Sequence, residues 1–360
     1  MEREEDVYMK LQHFKPTFEA PYYYACHFPI LHDKLLSMGS LSFLSLIAND
    51  QLYSIPACCI DSERALVTLD WYAPLLNRDQ QLFSYKRRAY NNFEDGLQGM
   101  KDCIECEEFF IASGSTYFLP YSKDYNNSKF IRGHTDQKSD KYITDHYLAV
   151  YGVTESHVLI HDPVPHKYMG PIEVKEFADF WRGNKSIAEL SFAKGFEKLA
   201  SYGTLDVTLK ETITSDNMKE CFITILKIVS NEFIKGTVIS KKEKTYYFGM
   251  AVSTLLKSNI NQAITESAEI LQMYSKCLFD MRWSRYFFND LLKDMYKILG
   301  NDFLDEYQEI INKWELVSGF FQKNALKSGF NMSHLHTFNH LLSQVIDKEK
   351  EFHEKVLVAI

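Results

Sequence analysis

Beyond residue 216 the apolar positions recur at helical spacing. Phe222, Ile225, Leu226 and Val229 follow an i, i+3, i+4, i+7 pattern. Phe303, Tyr307, Ile310, Trp314, Val317 and Phe321 alternate steps of four and three, and Leu335, Phe338, Leu342 and Val345 repeat the pattern near the C-terminus. All nine prolines lie at or before Pro171, so none interrupts these helices. The pattern predicts an antiparallel helical bundle over residues 206–360, with its aromatic and methionine stripe as core.

Upstream the period shortens. Segments near 66–70, 108–112, 146–151, 157–161 and 189–193 are rich in aromatic and β-branched residues and read as strands, whereas 26–38 and 92–103 read as helices. This order predicts an α+β domain over 1–205. The boundary falls near residues 203–216, where a short strand gives way to the helix-capping candidates Ser215 and Asp216.

Two arms of one expected hairpin, DHYLAVYGVTESHVLIHDP at 145–163, carry a histidine and a carboxylate. With Gly152 opening the break and the turn centred near Thr154, His146 and Asp162 are equidistant from the centre. They then sit opposite each other on one face, at a Cβ separation of about 5 Å. A carboxylate there would fix the imidazole tautomer and leave the other nitrogen to take a thiol proton.

The thiol comes from YYYACHFPILHDKLL at 22–36. Pro29 is tolerated in the first turn of a helix beginning near Cys26, and Leu31 and Leu35 continue its apolar face. A sulfur at a helix start beside an imidazolium is the setting in which reactive thiolates form. The backbone N–H groups of Cys26 and His27 are candidates for an oxyanion site. Each residue also has a plainer reading. A cysteine at an apolar helix start is ordinarily a small buried hydrophobe, a strand histidine is ordinarily structural, and Asp162-Pro163 would serve as a strand end and turn. The His-to-Asp register favours the catalytic reading.

Composition narrows the alternatives. With 360 residues, 46% of them hydrophobic, there is material for two cores. No apolar run reaches the roughly 20 residues of a membrane span, and the charged start MEREEDVYMK lacks a secretory apolar core, so a cytoplasmic protein that does not engage a membrane is expected. Seven cysteines, an odd number, do not suggest a disulfide framework. A net charge of -8 without a basic stripe argues against nucleic acid. No metal is expected: Cys103 and Cys106 have chelating spacing, but Cys58 and Cys59 are adjacent and poorly placed to share an ion. His157, His161 and His166 read as surface or rim residues around Asp162, the first two on the opposite strand face.

A helix carrying a thiol and an antiparallel sheet carrying His and Asp resemble the papain-like cysteine-protease arrangement. More specifically, ASGSTYFLPY at 112–121, the Cys-His helix before it and the His–Asp hairpin after it resemble the butirosin-biosynthesis acyltransferase family, itself related to bacteriocin-leader cysteine peptidases. The resemblance covers most of the chain, since that family also has a C-terminal helical domain with an aromatic, arginine-containing helix such as MRWSRYFFNDLL at 281–292.

The resemblance implies that Cys26 accepts an acyl group from the phosphopantetheine thioester of a carrier protein, with His146 as general base and acid and Asp162 as its orienter. The acyl group would pass to a small amine, or to a diamine as in an amide synthetase of similar layout, in secondary-metabolite assembly. No bound cofactor is expected. One departure is clear: papain-like proteases place a glutamine shortly before the cysteine, and residues 19–25 contain none. Tyr24 or backbone amides, including that of His27, would have to serve. Tyr117, Tyr121 and Tyr147 are candidates either to line an acyl channel beneath a helical lid or to be core residues, and Lys86, Arg87 and Arg88 are candidates to meet an acidic carrier. The same triad would equally serve a cysteine peptidase acting on a leader or acyl-peptide. A catalytically inactive carrier-binding scaffold is the remaining alternative.

Overall fold

The structure, a computed structural model, describes residues 9–60, 66–69, 76, 81–127, 142–143, 146–185, 201–241, 244–265, 268–299, 303–327 and 330–360. The chain divides into two compact units. Met1–Leu44 with Leu82–Thr212 make the first, and Ser45–Gln81 with Ile213–Ile360 the second.

In the first unit, β1 (Met9–Lys10), β4 (Phe83–Ala89), β5 (Phe110–Gly114), β7 (His146–Val153), β8 (His157–Asp162), β9 (Tyr168–Glu173) and β11 (Gly203–Leu209) form one sheet. Its order is β4-β11-β5-β7-β8-β9, with β1 pairing the far end of β7, and every pairing is antiparallel. The short strands β6 (Tyr142–Ile143) and β10 (Asn184–Lys185) pair separately. Helices α1 (His27–Ser37), α3 (Phe93–Glu105) and α4 (Val174–Arg182) pack on the large sheet. Met100, Ile104, Phe177, Phe180 and Trp181 from the helices join Ile111, Leu148, Val150, Val158 and Ile160 from the strands in one buried cluster. The unit is therefore α+β with an antiparallel sheet.

Local chemistry explains where the helices start and stay. The Asn92 side chain accepts a hydrogen bond from Asp95 N, and Glu94 and Asp95 occupy the first turn of α3, where the dipole favours acids. Lys34 anchors the end of α1: its Nζ donates to Glu108 Oε2 at 2.6 Å and to the Phe109 carbonyl at 3.2 Å. Gly114 lets β5 end against the backbone of α4, since a Cβ there would lie 2.3 Å from the Phe180 carbonyl oxygen. This strand end pairs with His146.

The expected contiguous division into 1–205 and 206–360 differs from the observed one. A cut at 205 would split β11, which pairs with β4 along its whole length. Residues 45–81 belong with the second unit because β2 (Ala57–Ile60) pairs with β3 (Leu66–Leu69) and with β13 (Lys244–Tyr247). Helix α2 (Leu44–Asp50) is tied in as well, Asn49 Nδ2 donating to the Phe287 carbonyl and Ser45 Oγ to Asp294. The expected strand at 66–70 is thus β3, in the second unit. The one at 189–193 lies outside the described residues.

The second unit is helical but not all-α. Helices α5 (Met218–Lys235), α6 (Met250–Thr265), α7 (Ala268–Leu299), α8 (Phe303–Lys327) and α9 (Met332–Ala359) accompany the four-stranded sheet β12-β13-β2-β3, β12 being Val238–Lys241. Gly236 adopts the left-handed conformation (φ 59°) that stops α5 and admits the hairpin. The helical stripes are core as expected: Phe222, Ile310, Trp314, Phe321, Phe338 and Leu342 are fully buried. Arg285, in the arginine-containing helix, is buried too and makes a two-bond pair with Glu349, 2.8 Å for each contact, while Trp314 Nε1 donates to the same carboxylate at 3.0 Å.

Removing the Glu349 charge leaves Arg285 buried and uncompensated, so Glu349→Gln should cost about 3–5 kcal/mol in chemical unfolding. Gly114→Ala should cost about 1–3 kcal/mol, whereas Gly319→Ala, where nothing lies within 4 Å of the added methyl, should stabilise its helix by up to about 1 kcal/mol. Equal thermal midpoints for the two glycine variants would contradict this account.

Candidate active site

Cys26 occupies the N-cap position of α1 in a helical conformation, and no side chain caps that helix start. Its thiol is half-buried. The Tyr147 N–H, on β7, points at Sγ from 3.4 Å. On the neighbouring residue, His146 Nε2 lies 2.8 Å from Asp162 Oδ2. The Cys26 side chain lies near enough to the same ring to raise its proton affinity. Three side chains distant in sequence thus come together, the His146–Asp162 pair hydrogen-bonded and almost wholly buried.

The hairpin reaches this arrangement by a different register from the expected one. The turn lies at residues 154–157, closed by a 2.8 Å hydrogen bond from Thr154 N to the His157 carbonyl, so Thr154 is its first residue and not its centre. Gly152 is a strand residue. A Cβ there would meet Leu159 Cδ1 at 2.7 Å and the Met9 carbonyl at 3.1 Å, so close packing and not a turn requires the glycine. Val150 faces Ile160 while Gly152 faces Leu159, which leaves Tyr151 as the extra residue of a β-bulge. Continued to the strand end, this register puts Asp162 opposite Leu148 and diagonal to His146. The expected direct opposition is therefore wrong by two residues, and both groups still share a face because the side-chain period is two. Without the bulge the shift would be odd and would send them to opposite faces.

Electrostatics separate the roles of the imidazoles. Burial disfavours a charge on His146, but the Asp162 carboxylate and the Cys26 side chain outweigh it and raise its pKa well above the usual value. His27 goes the other way: burial, reinforced by the Arg87 guanidinium, pushes it down to about 3. It is a neutral ring, stacked on Phe28 at 4.4 Å and edge-on to Tyr147 at 5.8 Å. Burial pushes the Tyr147 phenol up to about 12 against the pull of Arg87.

The other residues singled out in the sequence fall in varied places. Tyr121 donates from its hydroxyl to Asp162 Oδ2 at 3.1 Å and stacks on Tyr168 at 4.0 Å, so it holds the carboxylate. Burial and Asp162 keep its phenol protonated. Tyr24 is core, 2% exposed and edge-on to Phe28. Tyr117 stands on a 3₁₀ turn with its ring against Phe118. Arg88 makes a two-bond pair with Asp206 across β4 and β11. Arg87, its neighbour, acts on His27 and Tyr147 beside the thiol.

One histidine corrects the expectation of surface or rim positions. His161 does share a face with His157, opposite Asp162, but it is fully buried because Phe14 and Phe18 cover it at ring distances of 5.8 and 4.8 Å. His166, on the loop returning to β9, sets its ring 5.6 Å from that of His146. Neither it nor Tyr168 carried a spacing signal, since a loop and a third strand bring them in.

Scans of the sequence against protein-family models and curated proteins return no match. Among the described residues, no helix is long and apolar enough to cross a membrane.

The raised pKa of His146 has a defined pH signature. A group held above its unfolded value near 6.5 contributes stability that is fully present below that pH and lost as pH rises through the folded value. Asp162→Asn removes the attraction that offsets burial. The stability advantage of wild type over this variant should therefore be greatest at acid pH near 5.5–6.5 and shrink toward pH 9. Unfolding curves across that range check it, and an advantage that grows with pH would refute the assignment.

Proposed function

We propose that the chain is a thiol-dependent acyltransferase that forms amides, with a papain-like arrangement of its catalytic residues. The observation that carries this reading is the hydrogen-bonded His146–Asp162 pair beside the Cys26 thiol, which stands at an uncapped helix start. The likeness of the Cys-His helix, ASGSTYFLPY and the His–Asp hairpin to the butirosin-type acyltransferases supplies the substrate class: an acyl group on the phosphopantetheine thioester of a carrier protein, and an amine or diamine acceptor.

In this mechanism His146 takes the Cys26 proton and the thiolate attacks the thioester carbonyl. The carbon–sulfur bond to pantetheine breaks, the carrier thiol leaves with the proton returned by His146, and acyl-Cys26 remains. Thioester exchange is close to isoenergetic, so the second step sets the direction. An amine attacks acyl-Cys26, His146 accepts its proton, and the Cys26 thiol is regenerated as the amide departs. Asp162, held by Tyr121, keeps the imidazole oriented through both steps. Backbone N–H groups at the start of α1 are the candidates to receive the oxyanion, in place of the absent glutamine. Water must be kept from acyl-Cys26 for amide to form.

Intact mass after incubation with an acylated carrier tests this. Wild type should gain one acyl group and Cys26→Ser none, and His146→Ala should load about 10²–10⁴-fold more slowly. Added diamine should discharge the acyl group as amide. Free acid in place of amide would indicate a hydrolase, and absence of any acyl-enzyme would remove the proposal.

A further inference from the structure

Three donors converge beside the thiol's histidine. One ligand atom each from His146, Asp162 and His166 lies within 4.8 Å of the others. Two of these residues carry buried polar atoms without a hydrogen-bond partner, Oδ1 of Asp162 and Nε2 of His166. Asp162 is 0% exposed, and its other oxygen, Oδ2, already receives both His146 Nε2 and the Tyr121 hydroxyl. A buried carboxylate oxygen left unpaired is costly and uncommon. An imidazole nitrogen of the same cluster, on His166, is in the same condition.

We propose that His146, Asp162 and His166 bind a divalent transition-metal ion of the zinc type, and that this ion and the His146–Asp162 hydrogen bond are alternative states of one site. Two imidazoles and one carboxylate are the donor set of three-ligand zinc sites that keep a fourth position for water. They are ill suited to magnesium or calcium, which take six or more oxygens. Donors on a tetrahedral zinc stand roughly 3.3 Å apart, so binding requires the three side chains to draw together. Asp162 Oδ1 and His166 Nε2 have no hydrogen bond to break if they supply the lone pairs. His146 alone must give up its hydrogen bond: when Nε2 takes the metal, the proton it shared with Asp162 moves to Nδ1, or leaves to solvent if the ring was already doubly protonated.

A ring metallated at Nε2 carries its proton on Nδ1 and cannot accept one from Cys26. The ion would therefore silence the thiol without touching it, a consequence that rests on the catalytic reading above. Metal binding itself does not.

The test uses the full chain, stripped with EDTA and dialysed, titrated with Co²⁺ by visible absorbance and with Zn²⁺ by calorimetry. Wild type should bind one equivalent, His166→Ala and His166→Asn should bind at least about tenfold more weakly, and Cys26→Ala should bind as wild type does. Circular dichroism and thermal unfolding confirm that the half-buried position 166 tolerates both changes. No binding by wild type, undiminished affinity in both His166 variants, or loss of binding in Cys26→Ala would each overturn the proposal, the last by placing the ion on the thiolate. Acyl loading measured in parallel separates the two ideas. Metal binding with no acyl-enzyme sinks only the catalytic reading, and loading with no metal binding sinks only this one.

Discussion

The candidate site depends on one extra residue in a strand. Tyr151 shifts the pairing of β7 with β8 by one, and that odd shift decides which face of the sheet His146 meets. Strand side chains alternate, so an uninterrupted register from the turn at 154–157 would aim His146 away from Asp162. Gly152 accommodates the crowding next to the bulge, where Leu159 and the Met9 carbonyl approach too closely for a side chain. Tyr151 is itself fixed by stacking on Phe14 at 5.0 Å and by a hydrogen bond from Leu11 N to its carbonyl. The bulge is thus held by the chain segment that precedes the thiol helix.

Given that register, electrostatics order the rest. A buried imidazole would ordinarily stay neutral, as His27 does under burial and the repulsion of Arg87. His146, more deeply enclosed than His27, is driven the opposite way because Asp162 lies against it. The carboxylate is held in turn by Tyr121, and Tyr121 by its stack on Tyr168, so three residues from two strands and a loop restrain one ring. That restraint is lopsided: Oδ2 is crowded while Oδ1 is bare. A site built only to orient an imidazole would gain by satisfying both oxygens.

The second unit obeys a different logic. Its helices bury aromatic side chains in bulk, yet they enclose an Arg285–Glu349 pair with Trp314 donating to the same carboxylate. Such a pair adds little net stability over an apolar substitute, but breaking it is expensive, so it discriminates against other helix registers. The arginine that helped give its helix a familiar look in the sequence is thus a core group.

Much was legible in the sequence because its signals are local. Helical periodicity placed Phe222, Trp314 and Phe338 in a core, Pro29 allowed a helix to start beside Cys26, and aromatic and β-branched runs marked the His146 and Asp162 strands. Those three site residues could be named because each carries its chemistry in its own type and lies at an element end. What the sequence left open depended on pairing between distant segments. Gly152 looks like a turn residue until β1 is seen pressing on it, and residues 45–81 look like part of the first domain until β2 pairs with β13. Tyr121 has no mark of a carboxylate's partner, nor His166 of a neighbour to His146, until a loop and a third strand carry them there. Periodicity reports which face of an element is apolar. It says nothing of which distant element covers that face, and only the tertiary structure decided it, through strand register and backbone approach.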